Sequence, residues 1–267
     1  MKLSQIFENI RQAVSETEFL PTGFSKLDRF LDGGFMKREL VIFGAPTGLG
    51  KSYICGQIMQ NCARKGFSTA YFSLEISGKM IASRLIGAET NLKPTRIISN
   101  DLTHAETELR VQAENSLQAY DTFFEIYDDV YELQKIKDFI ISGKYELVII
   151  DFAQQIMIRN NSDEYSRLTQ IASELQELAK TQNCCIVLVS QLSNLVSREG
   201  ARGKALEFKG SGSLGTAADL AFYLEREAYN QSEYQPVRLT LKKNRRGISG
   251  AEFELQFRHP GGQFYET

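Results

Sequence analysis

Hydrophobic and polar positions fall into two rhythms along the chain. In residues 3–14, Leu3, Ile6, Phe7, Ile10 and Val14 recur at helical spacing, with Glu8, Arg11 and Gln12 elsewhere, which predicts an amphipathic helix. Pro21-Thr22-Gly23 cuts this helix off. A short helix over residues 26–31, capped by Ser25 and stopped by Gly33-Gly34, follows it. From residue 40 onward, short apolar runs alternate with helical stretches. Leu40 to Phe43 reads as a strand, followed by a helix from about Lys51 to Arg64 with a stop at Gly66. Strands at 68–75, 123–127, 146–151 and 184–190 then alternate with helices at about 79–89, 103–120, 131–141 and 164–181. Thr103-His104-Ala105-Glu106 is a capping box. The tail changes character: 220–224, 237–241 and 252–257 alternate like antiparallel strands, with Gly247 and Pro260-Gly261-Gly262 as turns. This order predicts one α/β domain with a mostly parallel central sheet flanked by helices and antiparallel strands at its C-terminal end.

The first strand runs into Gly44-Ala45-Pro46-Thr47-Gly48-Leu49-Gly50-Lys51-Ser52, where small residues meet the start of a helix. Such residues let backbone N–H groups curl around phosphate oxygens, and the helix N-terminus adds its positive dipole end. Residues Ala45, Pro46, Thr47, Gly48, Leu49, Gly50, Lys51 and Ser52 are therefore the candidate nucleotide-binding loop. Lys51 would reach the β- and γ-phosphates of a nucleoside triphosphate, and the Ser52 hydroxyl would hold Mg²⁺. Ala45 stands where the G-x-x-x-x-G-K-[ST] pattern has its first glycine, and costs little there if its φ is negative.

The 267 residues are 42% hydrophobic and 24% charged, enough for one large domain with a substantial core. A net charge of −2 gives no global basic field, so any nucleic-acid contact has to be local. No apolar run approaches the roughly 20 residues that span a bilayer. Met1-Lys2-Leu3-Ser4 opens a polar segment, so the cytoplasm is the expected location. Cys55, Cys62, Cys184 and Cys185 form no Cys-x-x-Cys and read as reduced core residues. His104, beside a helix start, and His259, in a turn before Pro260, are given no chemical role.

Four strand ends carry polar groups that would converge on one phosphate: Lys51 with Ser52, Glu75, Asp151 and Gln191. Hydrolysis needs an oriented, partly deprotonated water, which makes Glu75 the candidate base. Asp151, with Ser52, is the candidate metal holder, and Gln191 the candidate γ-phosphate sensor.

The motifs then fall in a recognisable order. They are Pro21-Thr22-Gly23-Phe24 ahead of Leu27-Asp28, the phosphate loop, Phe72-Ser73-Leu74-Glu75 and Ile150-Asp151-Phe152-Ala153-Gln154. Val189-Ser190-Gln191-Leu192, Ser211-Gly212-Ser213-Leu214 leading to Ala218-Asp219, and Lys243-Asn244-Arg245-Arg246-Gly247 complete the set. Over residues 20–266 the sequence resembles the motor domain of a DnaB-type replicative helicase, a hexameric ATPase with a RecA-like core.

That resemblance implies ATP and Mg²⁺ as ligands, and an enzyme that couples ATP hydrolysis to 5′ to 3′ translocation on single-stranded DNA and strand separation. It implies that Lys243 and Arg245 enter the active site of the adjacent subunit of a homohexameric ring. It also implies DNA contacts from Lys209, Gly210, Ser211 and Gly212, where the family more often has Arg and Glu at the first two positions. Arg198, Arg202 and Lys204 form a candidate second DNA loop. Residues 1–20 resemble the family's linker helix and 21–267 its motor. Primase and a helicase loader are the family's further partners; the family's N-terminal helical domain docks primase, and the roughly 20 residues ahead of the motor here belong either to a naturally minimal chain or to a fragment of a longer one. Two other readings share the core: a filament-forming RecA-like recombinase or mediator, and a regulatory RecA-like ATPase that acts on protein partners.

Overall fold

The computed structural model describes residues 2–12, 19–159, 163–191, 212–226 and 232–267. The first helix, α1 (Leu3–Gln12), leaves Leu3 and Phe7 exposed. β1 (Phe19–Leu20) and β2 (Phe35–Met36) pair as a small antiparallel ribbon around α2 (Ser25–Phe30). The parallel core follows as β3 (Leu40–Ala45), α3 (Lys51–Arg64), β4 (Thr69–Ser73), α4 (Gly78–Thr90), α5 (Pro94–Ser99), α6 (His104–Gln118) and β5 (Phe124–Tyr127). It continues through α7 (Leu133–Gly143), β6 (Leu147–Asp151), α8 (Glu164–Gln182), β7 (Cys185–Gln191), α9 (Gly212–Ala217) and β8 (Leu220–Glu225). β9 (Tyr234–Asn244), β10 (Glu252–Arg258) and β11 (Gln263–Glu266) close the chain. No helix among the described residues is long and apolar enough to cross a membrane.

One nine-stranded sheet has the order β11-β10-β9-β8-β3-β7-β6-β4-β5. Strands β3 to β8 are parallel to their neighbours among themselves, and β9, β10 and β11 are antiparallel. Every residue of β3 is buried, because helices cover both faces of a parallel sheet. Val41 and Phe43 point into one apolar layer, shared with Ile54, Cys55 and Ile58 of α3. Leu40 and Ile42 point into the other, shared with Ile136 of α7 and Ile171 of α8. Each such side chain contributes about 1.5–3 kcal/mol by leaving water. The four cysteines are free and buried, and burial pushes the thiols up, that of Cys184 to about 12.

Two local expectations are corrected, and two short elements are added. Alternation in residues 220–224 predicts an antiparallel strand, but β8 is parallel to β3 on one side and antiparallel to β9 on the other, so the sheet changes sense at β8. α5 and β11 are six and four residues long, too short for periodicity to reveal. Ser25 does not cap α2. Phe24 is the cap residue, and the cap comes from the far end of the chain, where Glu266 Oε1 accepts from the N–H groups of Lys26 and Leu27 at 2.8 and 3.3 Å. The Ser25 hydroxyl donates to the other oxygen of Glu266. In the Pro21-Thr22-Gly23 motif, Asp28 accepts from the Thr22 N–H and hydroxyl and from the Gly23 N–H, so this motif fastens the domain entrance rather than taking part in chemistry.

Candidate functional site

The site forms where β3 stops. Ala45 has no positive φ, so its methyl group fits the strand end, whereas Gly48 and Gly50 take φ of +84° and +89°. That left-handed backbone is one that L side chains rarely adopt, and it lets the chain fold back over the start of α3. Among the described residues, the N–H groups of Gly48, Gly50, Lys51 and Ser52 donate no hydrogen bond. They lie at the mouth of a cleft of about 290 Å³ together with Thr47, Glu75, Arg84, Phe152 and Gln191. Lys51 Nζ donates to the carbonyls of Ala45 and Pro46 at 2.9 and 3.0 Å. Burial pulls the ammonium below its usual value, while Asp151 and Glu75 act in the opposite direction.

Sheet register sets the heights of the other groups. Ala45 pairs with Gln191, so Gln191 stands directly beside the loop, and its Nε2 donates to Thr47 Oγ1 at 2.8 Å. Gln154 braces it: Gln154 Oε1 accepts from the Gln191 N–H, and Gln154 Nε2 donates to Ser190 Oγ. Asp151 follows Ile150, which is level with Leu188 and through it with Ile42. It therefore lies two strand residues below Ala45, buried beneath the residues that line the cleft, and is 2% exposed. Ser73 pairs with Asp151, which places Glu75 two residues higher, exposed at the rim.

The donor set fits a divalent cation. Tyr71 donates to Asp151 Oδ2 at 2.7 Å, and among the described residues Asp151 Oδ1 and the Ser52 hydroxyl have no hydrogen-bond partner. No group of three or more His, Cys, Asp or Glu among the described residues could cage a metal alone. That suits Mg²⁺, which takes one or two protein oxygens and fills its remaining positions with phosphate and water.

Two cleft residues escape a reading of the sequence. Arg84 of α4 lies with its guanidinium 4.4 Å from the Tyr53 ring centre, and its Nε has no partner among the described residues. Its signal is present: Ile81, Arg84, Leu85 and Ala88 share one helix face, so a cation interrupts an apolar stripe. His259, given no role from sequence, lines the same cleft against Phe257, and burial lowers its pKa. Only the sheet brings it there.

Lys243 and Arg245 are not brought to this cleft. Lys243 pairs with Ala221, level with Ile42, and Arg245 lies beyond the Leu220–Asn244 pair, at the level of Leu40. From Leu40 to Ala45 is about 16 Å of strand. At that opposite edge Lys243 Nζ donates to the carbonyls of Gly215 and Thr216 at 2.8 and 2.7 Å. Arg245 donates to Asp219 Oδ1 at 2.7 Å and to the Thr216 carbonyl at 2.9 Å. Of the candidate DNA contacts, Gly212 opens α9, while Arg198, Arg202, Lys204, Lys209, Gly210 and Ser211 lie outside the described residues.

A phosphate loop on the central strand, two carboxylates and a glutamine on neighbouring strand ends define a nucleotide-binding α/β domain of the RecA-like kind. The chain belongs to the family of DnaB-like helicase C-terminal domains, which it matches over residues 20–266. It is 29% identical over 245 residues to the replicative DNA helicase DnaB of Treponema pallidum, covering 89% of this chain and 54% of that protein. It is 27% identical to the replicative DNA helicase DnaC of Bacillus subtilis, covering 93% and 57%. The chain thus spans a little over half the length of these curated relatives. A solved structure of a DnaB-like replicative helicase, described with its interactions with primase, superposes with a TM-score of 0.85 at 22% identity over 98% of this chain and 66% of that one, which shows the shared fold. A solved ATPase domain superposes with a TM-score of 0.86 at 24% identity over 99% of this chain and 97% of that one.

Proposed function

We propose that this chain is the ATP-hydrolysing motor of a replicative DNA helicase that works as a homohexameric ring, translocates 5′ to 3′ on single-stranded DNA and separates duplex. Residues 21–267 form the motor. The exposed Leu3 and Phe7 of α1 support a linker helix in residues 1–20 that packs on the neighbouring subunit. The observation that carries the reading is the division of the family's motifs between two edges of one sheet. Loop, Glu75 and Gln191 lie by one end of the strands, while Lys243 and Arg245 lie toward the other, away from their own cleft, which supports a role for them in a neighbour's.

The chemistry follows from the residues. The loop N–H groups and Lys51 bind and orient the triphosphate, and Glu75 at the rim takes the proton of the attacking water. Ser52 and Asp151 would hold Mg²⁺, which when bound neutralises charge on the phosphoryl oxygens. Gln191, joined to Thr47 and braced by Gln154, reads the γ-phosphate and passes its presence to the chain beyond β7. That chain leads to the proposed DNA contacts at Arg198, Arg202, Lys204 and Lys209 to Gly212. Arg245, with Lys243, stabilises the transferring phosphoryl of the adjacent subunit. DNA is the proposed substrate, and primase and a loader are partners of the assembled protein.

Strand displacement from a forked duplex with ATP, run beside Arg245→Ala at equal protein concentration, tests this. Displacement by the parent and a loss of about 10³–10⁵ in the variant's ATP turnover are expected. ATP hydrolysis with no displacement would overturn the helicase reading, and full turnover by the variant would overturn the shared site.

A further inference from the structure

Tyr71 is fully buried yet carries a hydroxyl that the reaction as described does not use. Its ring lies in the apolar layer with Cys55, Ile58 and Ile149, where a phenylalanine would pack as well. A phenol placed there needs an acceptor, because an unpaired buried hydroxyl is costly. The acceptor is Asp151 Oδ2, at 2.7 Å. Sheet register explains the reach: Tyr71 pairs with Ile149, so Asp151 is the diagonal neighbour two residues on along the same face, a distance an aromatic side chain spans.

The bond divides the two oxygens of Asp151. Oδ2 is taken from beneath by Tyr71, and among the described residues Oδ1 accepts from no donor. An aspartate turns about its Cα–Cβ and Cβ–Cγ bonds; with Asp151 buried, packing restricts the first, and a hydrogen bond to one oxygen fixes the second. We infer that Tyr71 is a positioning residue of the site: it locks the Asp151 carboxylate so that Oδ1 is presented to the divalent cation, and thereby sets cation affinity without contributing to nucleotide affinity. This rests on the proposed reading of Asp151 as the cation's carboxylate. Residues that orient a metal ligand through its second atom change metal affinity by about 10–100-fold when removed.

The test is Tyr71→Phe in the full chain, with Mn²⁺ as the probe and ADP bound. Mn²⁺ affinity, followed by electron paramagnetic resonance, is expected to fall about 10–100-fold. ADP affinity measured in EDTA should stay unchanged, and hydrolysis should recover at high Mg²⁺. A Mn²⁺ affinity within twofold of the parent, in a variant that melts like the parent, overturns the inference. Asp151→Asn separates the two readings: if it leaves Mn²⁺ affinity intact, the role of Asp151 itself fails. A second measurement needs no variant. In the parent, the Tyr71 ¹³Cζ resonance should shift when Mg²⁺ is added to the ADP complex, and a resonance that stays put overturns the inference whether or not Tyr71→Phe folds.

Discussion

Two lysines sit in nearly the same local geometry at opposite edges of the sheet. Lys51 Nζ donates to two backbone carbonyls at 2.9 and 3.0 Å, and Lys243 Nζ to two at 2.8 and 2.7 Å. Burial lowers the pKa of both. Their surroundings differ. Around Lys51 lie N–H groups without partners among the described residues, which a polyanion can take up directly, while the nearby Glu75 and Asp151 carboxylates call for a cation beside it. Around Lys243 the neighbouring cation, Arg245, is already joined to Asp219, and Asp219 Oδ2 also accepts from the N–H of Leu40, the first residue of the phosphate-loop strand. One edge is built to receive a ligand. The other holds its cations on its own carbonyls and carboxylate until a stronger anion is offered.

The largest effect expected from this contrast is complementation. Glu75→Gln disables the receiving edge and Arg245→Ala the donating edge, so each variant alone should hydrolyse ATP at about 10²–10⁵-fold below the parent. When the two are mixed and allowed to exchange subunits, each junction that joins an intact Glu75 to a neighbour's intact Arg245 is a complete site. Turnover should rise well above the sum of the separate variants. No rise on mixing, under conditions where the subunits assemble, would mean that both edges act within one chain.

Glu75→Gln taken alone should separate binding from chemistry. The loop N–H groups and Lys51 are untouched, so ADP and ATP affinity should remain near the parent while turnover falls about 10²–10⁴-fold. A parallel loss of nucleotide affinity would move Glu75 from the rim chemistry into the binding set.

The same contrast governs what the sequence can reveal. The receiving edge is readable because the phosphate loop is contiguous, and because Asp151 and Gln191 each end a strand whose apolar run is visible and Glu75 follows such a strand by two residues. The C-terminal ends of parallel strands lie on one side of the sheet whatever the strand order, so the side these groups share is legible even though their spacing is not. The donating edge is not readable from spacing, since its position depends on β8 changing the sense of the sheet, which alternation in residues 220–224 does not encode. Arg84, His259 and Tyr71 escape for a related reason. Arg84 and His259 reach the cleft sideways, from a helix face and a turn, and Tyr71 reaches Asp151 beneath it from the middle of a neighbouring strand, so only register or packing brings each there.

A smaller effect should follow from loosening the donating edge. Asp219→Asn keeps an acceptor for the Leu40 N–H but removes the charge that holds Arg245, which is itself partly exposed. A charge-assisted bond of this kind, discounted for solvent, is worth about 1–2 kcal/mol, to be read from urea unfolding. An unchanged unfolding midpoint would mean that Asp219 does not restrain the edge.

The smallest effect is expected far from both edges, and it measures how independent the helical layer is of them. Glu106 closes the capping box of α6: its carboxylate accepts from the Thr103 N–H at 2.8 Å and from Arg96 at 2.6 and 2.9 Å. The hydrogen bonds from Arg96, then Thr103, lower its pKa from 4.5 to about 2. A carboxylate depressed on folding stabilises the folded state fully above its unfolded pKa. That contribution is therefore complete at neutral pH and declines as pH falls from about 4.5 toward 2. Carboxyl-carbon NMR should show Glu106 titrating near 2. Glu106→Gln should flatten the acid limb of the stability curve while leaving ATP turnover at neutral pH as in the parent. A titration midpoint at 4.5 would mean that the Arg96 and Thr103 contacts do not persist in solution, and reduced turnover in Glu106→Gln would show that the helical layer and the receiving edge are coupled.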